Sequence, residues 1–203
     1  MSKPRRIGIF GGTFDPIHNT HLDIARAARD HVELDRVLLV VAAWPPHKHN
    51  GTVAPAEDRY ALVQAAVAGE EGLEASRLEL DRDGPSYTAD TLRQVEELFP
   101  EAALYLILGH DSLVDLPRWR DHHEIVERAR LLVIPRPGEM RVPPEVDGRY
   151  ETLAFPISRL SSTELRERIR AGEPIDDLTP PPVARLIRDK GLYNASPRDS
   201  QSG

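Results

Sequence analysis

The sequence predicts an α/β fold of the Rossmann-like type, an open and mainly parallel sheet with helices on both faces and a small C-terminal helical segment. Short apolar runs alternate with segments of helical periodicity, which is typical of βαβ units. The runs are rich in leucine and β-branched residues, as strands buried on both faces are. The first run ends in two glycines followed by a helix start, the place where such sheets bind phosphates.

Five strands are expected from the apolar runs, and a short strand-like segment follows at 152–157. Their expected bounds are 6–10, 37–42, 76–80, 104–108 and 131–134. Helical spacing of apolar residues predicts helices at 21–31, 56–68 and 88–99. Beyond a proline-rich stretch the chain becomes helical again, from a Ser161 or Ser162 cap to Gly172 and then at 180–190.

With 203 residues, the chain has the length of one domain. We expect a single domain over 1–193, in which 135–150 is a loop or linker and 157–193 is the C-terminal helical part. The polar residues 194–203 are expected to be disordered. Sequence leaves the oligomeric state open, a homo-oligomer included.

Composition excludes several classes of protein. The absence of cysteine excludes a disulfide scaffold, a zinc ribbon and a cysteine nucleophile. A net charge of -7 argues against a nucleic-acid or membrane-surface binder. Without a membrane-spanning run or a signal-peptide pattern, a cytoplasmic location is expected. The charge is uneven, at +2 over residues 1–50, -10 over 51–155 and +1 over 156–203.

The segment after the first strand carries the strongest chemical signal, Gly11-Gly12-Thr13-Phe14-Asp15 followed by His18 and His21. Glycines let the backbone approach a phosphate, and a helix N-terminus favours an anion. The two histidines are three residues apart and share a face of the helix. Taken alone, such a pair is more readily interpreted as capping a helix or filling a groove than as binding a ligand. A structural metal site would need more ligands, so no protein metal site is predicted.

This segment resembles the motif of the HxGH nucleotidyltransferase superfamily, and further segments narrow the resemblance to bacterial nicotinate-nucleotide adenylyltransferases. Those segments lie in family order along most of the chain, from about Ile7 to Tyr193. They are PPHK at 45–48, DGPSYTADTL at 83–92, LGHDS at 108–112 with LPRW at 116–119, and SSTELR at 161–166. One departure is Thr20, where the family has glycine. Its side chain would either crowd the phosphate or donate a hydrogen bond to it.

The resemblance implies adenylyl transfer from ATP to nicotinate mononucleotide, with Mg²⁺ bound through the ATP phosphates. It implies phosphate-clamping catalytic roles for His18, His21 and Arg166. The implied ATP site consists of Gly11, Gly12, Thr13, Phe14, Asp15, His18, His21, Gly109, Asp111, Arg136, Ser161, Ser162, Thr163 and Arg166. The implied mononucleotide site consists of Lys48, Ser86, Tyr87, Thr88 and Trp119.

Reaction chemistry points to the same kind of site. A phosphate monoester has its second pKa near ~6, so the attacking phosphate is mostly dianionic and needs no general base. The enzyme must position two anions and stabilise the leaving group, so a cationic, donor-rich site is expected.

Several of these residues have a structural interpretation as well. Arg166 also fits an exposed ion-pair pattern, and Lys48 and Arg136 fit solvated loops. Asp111 also fits the N-cap of a short helix, and Trp119 fits ordinary packing.

Overall fold

The computed structural model describes residues 5–44, 52–135, 141–146, 148–155 and 160–194. Within these residues, six strands form one sheet: β1 (Arg6–Gly12), β2 (Arg36–Val41), β3 (Leu73–Ser76), β4 (Ala103–Gly109), β5 (Ala129–Ile134) and β6 (Tyr150–Thr152). Every pairing is parallel and the strand order is β3-β2-β1-β4-β5-β6. The strand order reverses between β1 and β4, where an open α/β sheet binds its ligands.

Seven α-helices lie in the described ranges: α1 (Asn19–His31), α2 (Ala56–Val67), α3 (Thr88–Leu98), α4 (His110–Asp115), α5 (His122–Arg128), α6 (Ser162–Arg170) and α7 (Pro181–Lys190). The sheet separates two apolar clusters. One contains buried residues of α1, α2, α6 and α7, and the other contains those of α3, α4 and α5. The predicted Rossmann-like arrangement, with helices on both faces of a parallel sheet, is therefore confirmed.

The C-terminal helices belong to the core that supports β1. Leu165 of α6 and Ile187 of α7 are buried in the same cluster as Phe10 and Phe14. Lys190 at the end of α7 also donates to Asp58 of α2 at 2.5 Å. Nothing in this packing separates the C-terminal part from the sheet.

Two strand predictions were wrong in their bounds. The prediction at 76–80 falls mostly on a turn, because β3 ends at Ser76. Leu78 and Leu80 mimic strand alternation since they pack against the two opposite core clusters from that turn. The prediction at 152–157 overlaps only the last residue of β6. The short helices α4 and α5 were not predicted as elements, because at six and seven residues they are too short to show a helical period.

The predicted loop at 135–150 contains a short 3₁₀ turn at Pro144–Val146 and the first residue of β6. In the described part of the chain, no helix is long and apolar enough to cross a membrane. Most of the predicted tail lies outside the described residues.

Candidate active site

A cavity of about 420 Å³ opens at the carboxyl ends of β1 and β4. It brings together residues from several parts of the chain, among them the end of β1, the start of α1, the end of β4, the start of α3 and the segment after α4. Of the predicted site residues it is lined by Gly11, Gly12, Thr13, Phe14, His21, Ser86, Thr88, Gly109 and Trp119. Some of the predicted ATP residues and some of the predicted mononucleotide residues thus share one cavity, whereas His18 is not among the residues that line it.

Glycines at the two strand ends leave backbone open to this cavity. A Cβ at Gly11 or Gly109 would meet no atom within 4 Å. Gly12 is different, since a Cβ there would lie 2.8 Å from the Phe14 ring. Phe14 itself has a left-handed backbone, with φ of 47°, and its buried ring packs edge-on against His21 at 5.1 Å between ring centres. A strained residue held by packing at a ligand cavity is a common feature of functional sites.

The two histidines form a stacked pair at the start of α1. His18 is the N-cap residue and His21 lies in the first turn, with ring centres 3.8 Å apart. The backbone N–H of His18 donates to Nδ1 of His21 at 3.2 Å, so a neutral His21 carries its proton on Nε2 and is a donor there. Nδ1 of His18 is buried and has no partner among the described residues.

Burial makes both rings neutral at physiological pH. It lowers the pKa of His18 to about 4. Burial, followed by the charge of His18, holds the pKa of His21 well below its ordinary value of 6.5. In the ligand-free protein the two histidines therefore add no positive charge to the site, because desolvation disfavours the charged form. The pair offers neutral N–H donors.

We predict that His18 makes the ligand-free protein less stable as the pH falls. Its pKa is 6.5 in the unfolded chain and about 4 in the folded one, so the unfolded chain binds more protons between these values. Stability present above pH 6.5 is therefore lost as the pH falls towards 4. From pH 7 to pH 5, His18 should account for roughly 2 kcal/mol of the loss. Urea unfolding of wild type and His18→Asn at both pH values measures this, and an equal loss in the two proteins would contradict it.

Asp15 belongs to the β1–α1 connection, but it is not among the described residues that line the cavity. Its carboxylate is buried and accepts from the backbone N–H groups of Val53 (2.8 Å) and Ala54 (3.1 Å). The predicted ATP contact would have to come from its backbone, because both carboxylate oxygens are used within the protein.

Arg59 of α2 is a buried residue that sequence reasoning missed. Its side chain is fully buried and donates to the carbonyls of Thr13 (2.7 Å), Ala54 (3.1 Å) and Ala43 (3.5 Å). One guanidinium therefore joins the connections that follow β1 and β2. Burial lowers its pKa and the charge of Asp15 opposes that change. An Ala- and Leu-rich helix gave no signal that its arginine points inward.

The start of α6 also contacts the β1–α1 connection. Arg166 donates through Nη1 to the Asp15 carbonyl (2.7 Å) and through Nη2 to Thr163 Oγ1 (3.1 Å). Ser162 Oγ donates to the Pro16 carbonyl at 2.9 Å, and Ser161 Oγ accepts from the Glu164 N–H at 3.2 Å. The serine N-cap prediction is confirmed at Ser161. None of the four predicted residues 161–163 and 166 is among the described residues that line the cavity, although Arg166 contacts the loop that does.

A further hydrogen bond joins the β1–α1 connection to the C-terminal part of the chain. Thr179 Oγ1 donates to the Ile17 carbonyl at 3.1 Å. Three successive carbonyls, those of residues 15, 16 and 17, thus accept from the C-terminal part of the chain. Because a peptide N–H points opposite to its C=O, these three hydrogen bonds set the direction of the peptide dipoles in the β1–α1 connection.

The predicted mononucleotide segment opens α3. Ser86 and Thr88 line the cavity, while Tyr87 is the N-cap residue and stacks under the Arg120 guanidinium at 4.7 Å. Ser86 is also paired with Trp44, whose N–H donates to Ser86 Oγ (3.2 Å) and whose carbonyl accepts from the Ser86 N–H (3.0 Å). Trp119 lines the cavity and packs against the second core cluster, so its packing interpretation is confirmed and its contact with the mononucleotide stays a prediction.

Asp111, another predicted residue, is not among the described residues that line the cavity. Asp111 is exposed in the first turn of α4, and Gly109 is the N-cap residue of that helix, so the N-cap interpretation of Asp111 was wrong. Lys48 and Arg136 lie outside the described residues. Among the polar side chains that line the cavity, those of Glu79, Thr91 and Ser112 were not predicted as site residues. No cluster of three or more His, Asp or Glu that could hold a metal ion occurs among the described residues.

Comparison with known proteins gives consistent matches over nearly the whole chain. The model of the cytidylyltransferase-like family matches residues 9–168. A protein of Gloeobacter violaceus named "Probable nicotinate-nucleotide adenylyltransferase" is 43% identical over 198 residues, covering 93% of this chain and 96% of its own length. A protein of the same name from Thermus thermophilus is 46% identical over 192 residues, covering 93% and 99%.

One solved structure agrees in fold. It is described as Plasmodium falciparum nicotinic acid mononucleotide adenylyltransferase complexed with NaAD, and it superposes with a TM-score of 0.76 at 20% identity, covering 93% of this chain and 97% of that one. At this identity the match establishes similarity of fold.

Proposed function

Because this chain belongs to the cytidylyltransferase-like family, and relatives named as nicotinate-nucleotide adenylyltransferases match it over nearly its whole length, we propose that it adenylylates nicotinate mononucleotide. The mononucleotide phosphate forms a bond to the α-phosphorus of ATP, the bond from that phosphorus to the bridging oxygen breaks, and pyrophosphate leaves. The products are nicotinate adenine dinucleotide and pyrophosphate, and the reaction is a step of NAD biosynthesis. The observation that carries this proposal is the single cavity that joins the β1–α1 loop to the start of α3.

In this proposal the ATP phosphates lie over Gly11 and against the start of α1. Neutral His21 donates from Nε2, and His18 occupies the adjacent N-cap position. Donors preorganised in a site of low polarity stabilise the charge that develops on the leaving group. The permanent positive charge comes from Arg166, which is fixed on the loop by its bond to the Asp15 carbonyl. Binding of the triphosphate should raise the pKa of both histidines, because an anion nearby favours their protonated form.

The second substrate lies, in this proposal, at the end of the cavity formed by the start of α3 and Trp119. The free N–H groups at the start of a helix suit a carboxylate, and an indole suits a pyridine ring. Lys48 remains a predicted contact of the mononucleotide phosphate. The site needs no nucleophilic side chain, since the attacking group is the phosphate itself.

Mg²⁺ in this proposal is bound through the ATP phosphates. Hard cations take oxygen ligands, whereas the groups near the start of α1 are imidazoles and backbone N–H. Asp15, in the connection before α1, uses both carboxylate oxygens on backbone N–H groups. The phosphates are therefore the oxygen ligands that fit, and the ion would neutralise part of their charge.

The decisive experiment incubates the purified protein with Mg-ATP and either nicotinate mononucleotide or nicotinamide mononucleotide. Pyrophosphate release with nicotinate mononucleotide is the expected result, with the dinucleotide identified by mass. Release only with nicotinamide mononucleotide would support the related adenylyltransferase instead. Failure with both, together with ATP binding seen by calorimetry, would leave a nucleotide-binding module without turnover.

A loss of turnover would be attributed to Thr20, which stands where the family has glycine. The position of Thr20 argues against such a loss. It lies in the first turn of α1 with a helical backbone, so the position does not require glycine for its conformation. It is also absent from the described residues that line the cavity. We therefore predict that Thr20→Gly changes kcat by less than about 3-fold, well within 1 kcal/mol of barrier. Steady-state kinetics of the variant measure this, and a kcat more than tenfold higher would show that the threonine obstructs the phosphates.

A further inference from the structure

Glu79 is a cavity residue for which the phosphate chemistry gives no role. It lies in the turn after β3, is only 7% exposed and lines the cavity with Ser86, Thr88 and Thr91. A carboxylate in a cavity that takes two anionic substrates would repel them. Its presence there therefore indicates a role other than contact with the substrate phosphates.

The carboxylate is held by a hydroxyl at the start of α3. Thr91 Oγ1, in the first turn, donates to Glu79 Oε1 at 2.6 Å, and Thr91 is 1% exposed. Ser86, two residues before the helix, lines the same cavity and acts to lower the pKa of Glu79. Glu79 therefore lies against the loop-to-helix junction that contains Tyr87 and Thr88.

Two further contacts extend this network outward. Arg82 lies 3.5 Å from Thr91 Oγ1 and donates to Gln94 at 2.7 Å, which brings a positive charge close to the carboxylate. Ser86 in turn is paired with Trp44 at the exit of β2. Burial raises the pKa of Glu79, and the Thr91 hydrogen bond, Ser86 and the charge of Arg82 oppose this. The network thus joins the exits of β2 and β3 to α3.

We propose that Glu79 is a positioning residue for the second substrate, holding residues 86–88 so that the start of α3 faces the mononucleotide. This inference rests on the proposed function, because it assigns that end of the cavity to the mononucleotide. The β1–α1 connection, where the ATP phosphates are proposed to lie, is held instead by Ala54, Arg59 and Arg166, so Glu79 should affect one substrate and not the other.

The test is the separation of kinetic constants in three proteins. Glu79→Ala should raise KM for nicotinate mononucleotide at least ~10-fold, with KM for ATP and kcat within ~3-fold of wild type, because the hydrogen bond that Glu79 accepts from Thr91 at the junction is lost. Glu79→Gln keeps the acceptor for Thr91 and should restore KM to within ~3-fold. The matched control is Glu74→Gln on β3, an exposed residue paired with Arg36 at 2.9 Å, which should leave every constant unchanged.

A merely structural role would raise both KM values or lower the melting temperature without a change specific to one substrate, and either result overturns the proposal. Failure of Glu79→Gln to restore KM also overturns it. If Glu79→Ala does not fold, Thr91→Val decides the matter, since it removes the hydroxyl at nearly constant shape. An unchanged KM for the mononucleotide in that variant would refute the role of the network. Inactivity of the wild type towards nicotinate mononucleotide is a different result, which would refute the proposed function.

Discussion

Replacing Arg166 with alanine should lower kcat at least ~10²-fold, equivalent to about 3 kcal/mol of lost transition-state stabilisation. The guanidinium is fixed by its bonds to the Asp15 carbonyl and to Thr163, so its charge is already in place when the phosphates arrive. A preorganised cation of this kind costs no reorganisation during the reaction. His18→Ala should have an effect of similar size, since it removes the N-cap imidazole of α1.

Pyrophosphate release under saturating substrates measures this effect. The matched control is Arg168→Ala on the same helix, because Arg168 is a partly exposed residue paired with Glu164 at 3.6 Å. Its kcat should remain within a factor of about 2, as expected for a surface ion pair. A melting curve for each variant separates loss of charge from loss of the loop contact. A near-normal kcat in Arg166→Ala would show that the phosphate site lies elsewhere.

Replacing Arg59 with methionine should lower the free energy of unfolding by about 3–5 kcal/mol. The substitution keeps much of the side-chain volume but leaves three carbonyls, of Thr13, Ala43 and Ala54, without their donor. It also removes a positive charge close to the buried Asp15 carboxylate. Each loss is costly because water cannot replace the missing partner in the interior.

Urea unfolding, fitted with a common slope, gives this number. Arg77→Met is the matched control, since Arg77 forms its ion pairs with Glu57 and Asp81 at the surface. Its effect should stay below about 1 kcal/mol. If the two variants lost similar amounts of stability, the buried guanidinium would have no special role in holding the site.

The sequence was sufficient for those elements whose signal is local. Strands β1, β2, β4 and β5 are apolar runs, and α1, α2, α3, α6 and α7 have a helical period or caps, so each was found near its true bounds. The strand at 76–80 failed because a turn that packs leucines against two clusters has the same alternation as a strand. The short α4 lacked enough residues to show any period.

The residues of the site divide in the same way, into those with a local sequence signal and those without one. Glycines and histidines close together in the chain predicted the β1–α1 part of the cavity, and the resemblance added the start of α3 and Trp119. Glu79 and Arg59 were missed because what distinguishes them is that their side chains point inward. That direction is set by tertiary packing and has no mark in the sequence.

The bonds to the carbonyls of residues 15, 16 and 17 also have a consequence for the order of folding. Their donors are 151, 146 and 162 residues further along the chain. Contacts of such long range form late, after shorter loops have closed, since each closure costs chain entropy. During synthesis the β1–α1 connection therefore leaves the ribosome early. Its three carbonyl contacts cannot form until residues 162–179 have emerged. Until that point the nascent chain holds the glycines and histidines of the site without the bonds to the carbonyls of residues 15, 16 and 17.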